Sequence, residues 1–292
     1  MKFKQADKRA AAVAGLVLTT IIWGGGFVIT KIVVESVTPV YLMAFRFSIA
    51  AAGLVLCFHK KIKLLKKRDI LPGAILGLWL AISFITQTYG IMYTTASNNA
   101  FITAFYVILV PFLSLILCKT KLRPLHIFTA VMALSGIAML SLTETFQMRA
   151  GDALTLLCSL MYAVHIVLLG RYAAKHDVII LTMLQMFAAA ALCWICAPVF
   201  EGPFAPALSA GIDLSFCLSI LYLALLSTML GFLFQTAGQK YLPTHTVSVL
   251  LTLESVFGAS FSVLLLGDPL TPRIIAGFAV MFAAVLISVR AS

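Results

Sequence analysis

Charge is what this chain has least of. Only 11% of its 292 residues are Asp, Glu, Lys or Arg, and 62% are hydrophobic. Soluble domains carry about 25% charged and about 45–50% apolar residues. A water-filled surround cannot be reconciled with so much apolar surface, so lipid is the solvent for most of the chain. Acid is scarcest of all, ten residues against 21 Lys and Arg. The net charge of +11 does not point to nucleic acid, because the basic residues sit in short gaps between apolar runs and form no patch on a soluble face. Clustered acids, a His-x-x-x-His pair and a phosphate loop are all missing. Their absence argues against a membrane enzyme, against direct drive by ATP, and against any metal or other cofactor. The six cysteines include "CWIC" at 193–196, but no His or second Cys pair accompanies it. All six read as small packing residues in apolar segments. Long polar stretches are missing too, which leaves no room for a soluble domain. The longest are "HKKIKLLKKRD" (59–69), "TETFQMRAGD" (143–152) and "FEGPFAPALSAGID" (200–213).

What is there is a series of apolar runs. A spanning helix needs about 20 mostly apolar residues. That length predicts ten spans, at 10–34, 38–58, 70–93, 97–118, 124–142, 151–171, 178–198, 214–239, 245–266 and 271–290. The first follows "MKFKQADKRA" and is too long for the core of a signal peptide, so it reads as a retained membrane helix. Basic residues occupy alternate gaps, from Lys2 through Lys60, Lys119, Arg171 and Lys240 to Arg290. The intervening gaps hold only Arg149 and Arg273, while Lys31 and Arg46 lie within spans. That bias predicts cytoplasmic termini, and an even number of spans satisfies it.

Sliding the chain on itself by 148 residues lays "QTYGIMY" (87–93) on "QTAGQKY" (235–241), with four identities in seven. The same offset matches Ser114 with Ser262, Leu117 with Leu265, Leu122 with Leu270, Pro124 with Pro272 and Ile127 with Ile275. The front parts align near an offset of 139, "TPVYLMAF" (38–45) on "DVIILTML" (177–184). Five spans therefore repeat as five. Five is odd, so the second copy starts from the opposite side. The expected fold is an all-α integral membrane protein of ten transmembrane helices, built as two inverted five-helix repeats (1–142 and 143–292). Inverted repeats are a plan of secondary transporters.

The chain resembles the drug/metabolite transporter superfamily, in its EamA-type ten-helix branch. The resemblance rests on "WGGGFVITK" in the first span, "AFRF" (44–47), "FITAFYVILVP" (101–111), "LTLESVFGASFSVLLLGDPLTP" (251–272) and the duplication. The usual "LEP" and "GE" stand here as "LES" (253–255) and "GD" (267–268), and the corresponding place in the first half, "KTKLRP", has no acid. The resemblance implies efflux or exchange of small metabolites or drugs across the plasma (inner) membrane, and leaves the substrate open.

Ionisable residues inside lipid are costly and usually functional. Glu254 lies about 15 Å into the ninth span at 1.5 Å per residue. It reads as a proton or substrate-cation site, or as a structural partner of Arg46. Lys31 snorkels to the interface, pairs with Glu35, or attracts an anionic group. His165, with Tyr162 one turn before it, is a hydrogen-bonded structural residue or a proton relay. The third span presents Trp79, Ser83, Gln87 and Gly90 at helical spacing, and the eighth presents Ser227, Gly231, Gln235 and Gly238. Both stripes face a cavity or a packed helix. The fourth span offers Asn99 and Tyr106, and Tyr106 occupies the repeat position of Glu254. Gly24, Gly25 and Gly26 follow no strand, so they cradle no phosphate. They read as a close-packed segment or a hinge, with Trp23 and Phe27 turned toward a cavity.

The expected substrate pocket therefore draws on Trp23, Phe27, Trp79, Ser83, Gln87, Asn99, Tyr106, Tyr162, His165, Gln235 and Glu254. Gly24, Gly25, Gly26, Lys31, Arg46 and Glu254 are the expected gating or ion-pair residues. The expected activity is secondary active transport by alternating access, with export of amino acids or amphipathic solutes, and with protons as a candidate co-substrate. The partners are a small molecule and the lipid bilayer, no nucleic acid, and the protein is a monomer or a homodimer. A channel, receptor or scaffold is the alternative. A channel would carry a more continuous polar lining, and a receptor would bring a signalling domain.

Overall fold

The computed structural model describes residues 2–94, 96–141, 150–204, 213–261, 264 and 271–291. Among them every regular element is helical. The order is α1 (Lys2–Val33), α2 (Pro39–Phe58), a 3-10 turn (His59–Leu64), α3 (Lys67–Tyr93), α4 (Ala96–Thr103), α5 (Tyr106–Cys118), α6 (Pro124–Ser141), α7 (Ala150–Ala173), α8 (Val178–Glu201), α9 (Leu214–Leu221), a π-helical stretch (Tyr222–Leu230), α10 (Gly231–Tyr241), α11 (Thr244–Leu251), α12 (Leu253–Phe261) and α13 (Pro272–Arg290).

The boundaries follow from local chemistry. Pro39, Pro124 and Pro272 open α2, α6 and α13, where a missing N–H costs nothing. Asp177 caps α8 by accepting from the N–H groups of Ile179 (3.0 Å) and Ile180 (3.3 Å), and Asp213 caps α9 through Phe216 (2.7 Å). The start of α2 is capped from afar. Glu201, the last residue of α8, accepts from the N–H groups of Val40 (2.8 Å) and Tyr41 (3.2 Å), from Thr38 Oγ1 (2.6 Å) and from the Tyr89 hydroxyl (2.7 Å).

Eight helices among the described residues are long and apolar enough to cross a membrane, and Pro124–Met139 is a shorter apolar helix. The expected count of ten is not confirmed among the described residues. The ninth predicted span appears as the two short helices α11 and α12, and its expected end at 266 lies outside the described residues. So do the 142/143 repeat boundary, Arg149 and the "GD" pair. Large apolar side chains stand outward, with Leu56 and Val199 each 76% exposed. In water they would make an aggregating surface; in lipid they face like solvent.

Three contacts fix the relative direction of the two halves. Lys31, near the end of α1, donates to the carbonyls of Ile91 (2.6 Å), Met92 (3.3 Å) and Thr94 (3.2 Å) at the end of α3. Thus α1 and α3 end on one face. Asp69, at the start of α3, lies 2.6 Å from His176 Nδ1, just past the end of α7. Thr94 donates to Asp152 at the start of α7 (2.6 Å). Helix α7 therefore ends on the face where α1 begins, and the two copies run antiparallel. Packing follows the same mapping. Helix α3 lies along α7 as α10 lies along α1, α5 along α7 as α12 along α1, while α2–α8 and α6–α13 pair with their own counterparts. The face where α1 and α3 begin also carries Lys61, Lys66, Arg171 and Lys240, and is termed the basic face.

Candidate functional site

The predicted fourth and ninth spans share an interruption that no proline or glycine announces. Helix α4 stops at Thr103 and α5 starts at Tyr106; α11 stops at Leu251 and α12 starts at Leu253. The same short bond closes both breaks, Val107 N–H to the Ala104 carbonyl (3.0 Å) and Ser255 N–H to the Thr252 carbonyl (3.1 Å). These pairs lie 148 residues apart. Matching broken helices in inverted halves mark the place where transporters bind solute. Immediately after the breaks come Tyr106 and Glu254, and the Tyr106 hydroxyl lies 3.5 Å from Glu254 Oε1.

Glu254 opens onto a cavity of about 40 Å³ between the halves, room for a few waters at about 10–15 Å³ each. The wall comes from α1 (Trp23, Gly26, Phe27, Thr30), α2 (Arg46), α3 (Ser83, Phe84, Gln87, Ile91), α4 (Thr103), α7 (Cys158, Tyr162), the π-helical stretch (Ser227) and α12 (Glu254). Thr30 and Ile91 lie near the far ends of their helices, so the cavity occupies the half away from the basic face.

Arg46 is 5% exposed. It donates through Nη2 to Ser227 Oγ (2.8 Å) and through Nε to Thr228 Oγ1, and its guanidinium lies 4.7 Å above the Phe84 ring. The π-helical stretch makes this possible, because Thr228 Oγ1 donates to the Leu223 carbonyl five residues back (2.7 Å). π-Bulges are frequent at functional sites. Trp23 Nε1 donates to the Ser227 carbonyl (2.7 Å) and the Tyr222 hydroxyl to the Ile22 carbonyl (2.6 Å), tying α1 to the same stretch. Arg46 and Glu254 line one cavity without an ion pair between them, whereas Lys61–Asp177 and Asp69–His176 do form ion pairs. Of the two readings of Glu254, the direct structural pair with Arg46 is not formed in this structure. Hydroxyls and a ring share the work of holding the arginine, because Ser227 and Thr228 lie closer to it than the carboxylate.

Trp23, Phe27, Ser83, Gln87, Tyr162 and Glu254 line this cavity together. Trp79, Asn99, Tyr106, His165 and Gln235 do not line the cavity. Trp79 is half-buried, and its carbonyl accepts from Ser83 Oγ (2.6 Å). Asn99 stands behind the wall, donating to Thr155 Oγ1 (2.8 Å) and to the Gln87 carbonyl (3.2 Å), while Gln87 itself donates to Thr103 (3.1 Å). Tyr106 backs Glu254. His165 Nε2 lies 3.0 Å from Gln185 Oε1, and His165 and Gln235 are fully buried toward the basic face. Lys31 serves the carbonyls at the end of α3. Cys158, expected as an inert packing residue, is in the wall, as are Thr30, Phe84, Ile91 and Thr103. No type or spacing singles these out before packing is known.

The glycine run has three different surroundings. A Cβ on Gly24 would lie 2.7 Å from the Gly258 nitrogen and 2.9 Å from Phe257 Cβ, so α1 crosses α12 backbone to backbone. Gly25 faces the Tyr222 hydroxyl, and Gly26 opens on the cavity beside Ser227 Oγ.

A two-repeat helical membrane fold with broken helices around a shared charged cavity defines the class, a polytopic membrane transporter fold. The EamA-like transporter family matches residues 10–142 and again 149–290. The chain belongs to that family. A protein of Archaeoglobus fulgidus described as an uncharacterized transporter is 30% identical over 286 residues, covering 97% of this chain and 87% of its own length. The Bacillus subtilis uncharacterized transporter YetK is 24% identical over 298 residues, covering 97% and 88%. A crystal structure described only as that of a protein superposes with a TM-score of 0.78 at 17% identity, over 96% of both chains, and shares the fold.

Proposed function

We propose that the chain is a secondary active transporter that exports small amphipathic or zwitterionic solutes, amino acids among them, by alternating access. One observation carries this reading. A buried guanidinium and a buried carboxylate face the same cavity, and neither neutralises the other. A solute bearing both an anionic and a cationic group satisfies both at once, while the rings of Trp23, Phe27, Phe84 and Tyr162 suit an apolar body. Buried charges left without a counter-ion are expensive, which favours a site completed by its solute or by a proton on Glu254. The repeats, 1–142 and 143–292, rock against each other about the cavity. The positive-inside bias supports a cytoplasmic basic face, and with it a cavity that faces the outside of the plasma membrane. The partners are the solute, protons and lipid, with the protein a monomer or a homodimer.

The test is a thermal-shift screen of a metabolite library on purified protein. A solute that binds the folded state raises the melting temperature by mass action. Zwitterions that stabilise the wild type but not Glu254→Gln support the reading. A library whose only hits are insensitive to Glu254→Gln and to Arg46→Lys refutes it.

A further inference from the structure

Beneath the cavity, toward the basic face, lies a buried polar layer that the outward cavity does not use. Its members leave His165 Nδ1 and Gln239 Oε1 without a hydrogen-bond partner, and its Gln235 side chain lies beside the hydroxyl of Tyr162 in the cavity wall. His165 and Gln235 are fully buried and Gln239 is 4% exposed. Unpaired polar atoms in a protein interior are uncommon, and such atoms need a partner. On the other side of the layer is a vestibule of about 1130 Å³, walled by Lys119, Lys121, Arg123, Arg171 and His245 and reached by Gln239.

The repeat offsets explain the layer. At 148 residues, Gln87 maps on Gln235, Ile91 on Gln239, Ser227 on Trp79 and Glu254 on Tyr106. At 139, Gly26 maps on His165, Arg46 on Gln185 and Trp23 on Tyr162. The first residue of every pair lines the cavity. Four residues expected in the pocket but absent from its wall (Trp79, Tyr106, His165 and Gln235) are thus the inversion mates of four that form it. We propose that His165, Gln185, Gln235 and Gln239, with Tyr106, form the wall of a second solute cavity, closed here and opened to the vestibule when the halves exchange roles. This rests on the alternating-access reading and adds to it the residues of the inward-facing site. That site is chemically unlike the outward one. Where the outward wall has the Arg46 guanidinium, the inward wall has the Gln185 amide and the His165 imidazole, so a solute exchanges an ionic contact for neutral hydrogen bonds as it crosses.

Single-cysteine variants test it, in a background with the six native cysteines replaced by alanine. Modification by a charged, membrane-impermeant thiol reagent is timed from each side of oriented vesicles, and counterflow of a solute is measured alongside. Gln87→Cys reports the outward cavity and Gln239→Cys the vestibule. Gln235→Cys is expected to react from the basic side at least tenfold faster than from the other, with Gln185→Cys giving the same answer should Gln235→Cys not fold. The proposal is overturned if the background carries solute and both reporters react, yet Gln235→Cys and Gln185→Cys stay unreactive from the basic side. Basic-side reaction without any counterflow would support the second cavity and overturn the transporter reading instead.

Discussion

Replacing Gly24 with alanine adds one methyl group where two helices cross. Its Cβ would stand 2.7 Å from the Gly258 nitrogen, 2.9 Å from Phe257 Cβ and 3.0 Å from the Glu254 carbonyl oxygen. Two of these are backbone atoms of α12, which cannot turn aside as a side chain can. Overpacking of this kind costs about 1–3 kcal/mol, and the upper part of that range applies because the obstacle is a helix. Alanine recovers about 1 kcal/mol of helix propensity, which leaves a net loss of about 1–2 kcal/mol. Gly26→Ala provides the control. Its Cβ meets only Ser227 Oγ, at 3.4 Å, an ordinary contact, so the propensity gain stands unopposed. At about 2–4 °C per kcal/mol for a large domain, Gly24→Ala is expected to melt about 2–8 °C below the wild type in detergent, and Gly26→Ala at or above it. Because α12 carries Glu254, Gly24→Ala also weakens solute binding, while Gly26→Ala acts only by narrowing the cavity. Equal melting of the two variants would refute the backbone crossing as the reason for glycine at position 24.

Three further outcomes follow from the hydrogen bonds. Arg46→Lys keeps the charge but cannot span Ser227 and Thr228 together; with hydrogen bonds from a charged donor worth about 1.5–3 kcal/mol, a melting drop of several degrees and at least tenfold weaker ligand binding are expected. Glu201→Ala removes the distant cap of α2 and should cost about 2 kcal/mol, the top of the range for a cap, read in thermal unfolding of protein without ligand. Asp177→Ala should cost about 1 kcal/mol. Burial favours the neutral acid at Asp177, but Lys61 and the N–H groups of Ile180 and Ile179 outweigh it and hold the carboxyl below its ordinary value of 3.8. Its contribution is therefore present above about pH 4 and fades as the pH falls through the lower folded value. The melting gap between wild type and Asp177→Ala should narrow in that acidic window.

Much of the architecture was legible because membrane spans are written as length and hydropathy, and an inverted duplication leaves identities such as Gln87 with Gln235. The ends of most spans fell within a few residues of the helices, since proline and capping residues mark them. The breaks at Ala104 and Thr252 were not legible. Alanine and threonine do not interrupt helices by themselves, and tertiary packing imposes the turn. The π-helical stretch at Tyr222–Leu230 left no sign either, yet it sets the hydroxyls that hold Arg46. Within the pocket, polar and aromatic residues were found by their rarity in lipid. Thr30, Ile91 and Cys158 resemble many lipid-compatible neighbours, and only the packed helices bring them to the cavity. The inverted repeat places Gln87 and Gln235 in opposite halves of the membrane, but nothing in either stripe marks which of them is open in a given state.

Solute transport and its coupling to protons both turn on Glu254 in this reading. The most direct measurement is counterflow of a labelled hit from the thermal-shift screen in proteoliposomes, with and without a pH gradient, for the wild type and Glu254→Gln. The account predicts saturable counterflow by the wild type that responds to the gradient, and counterflow by Glu254→Gln that is lost or no longer responds. Flux that never saturates, or an unchanged response to pH in Glu254→Gln, would contradict it.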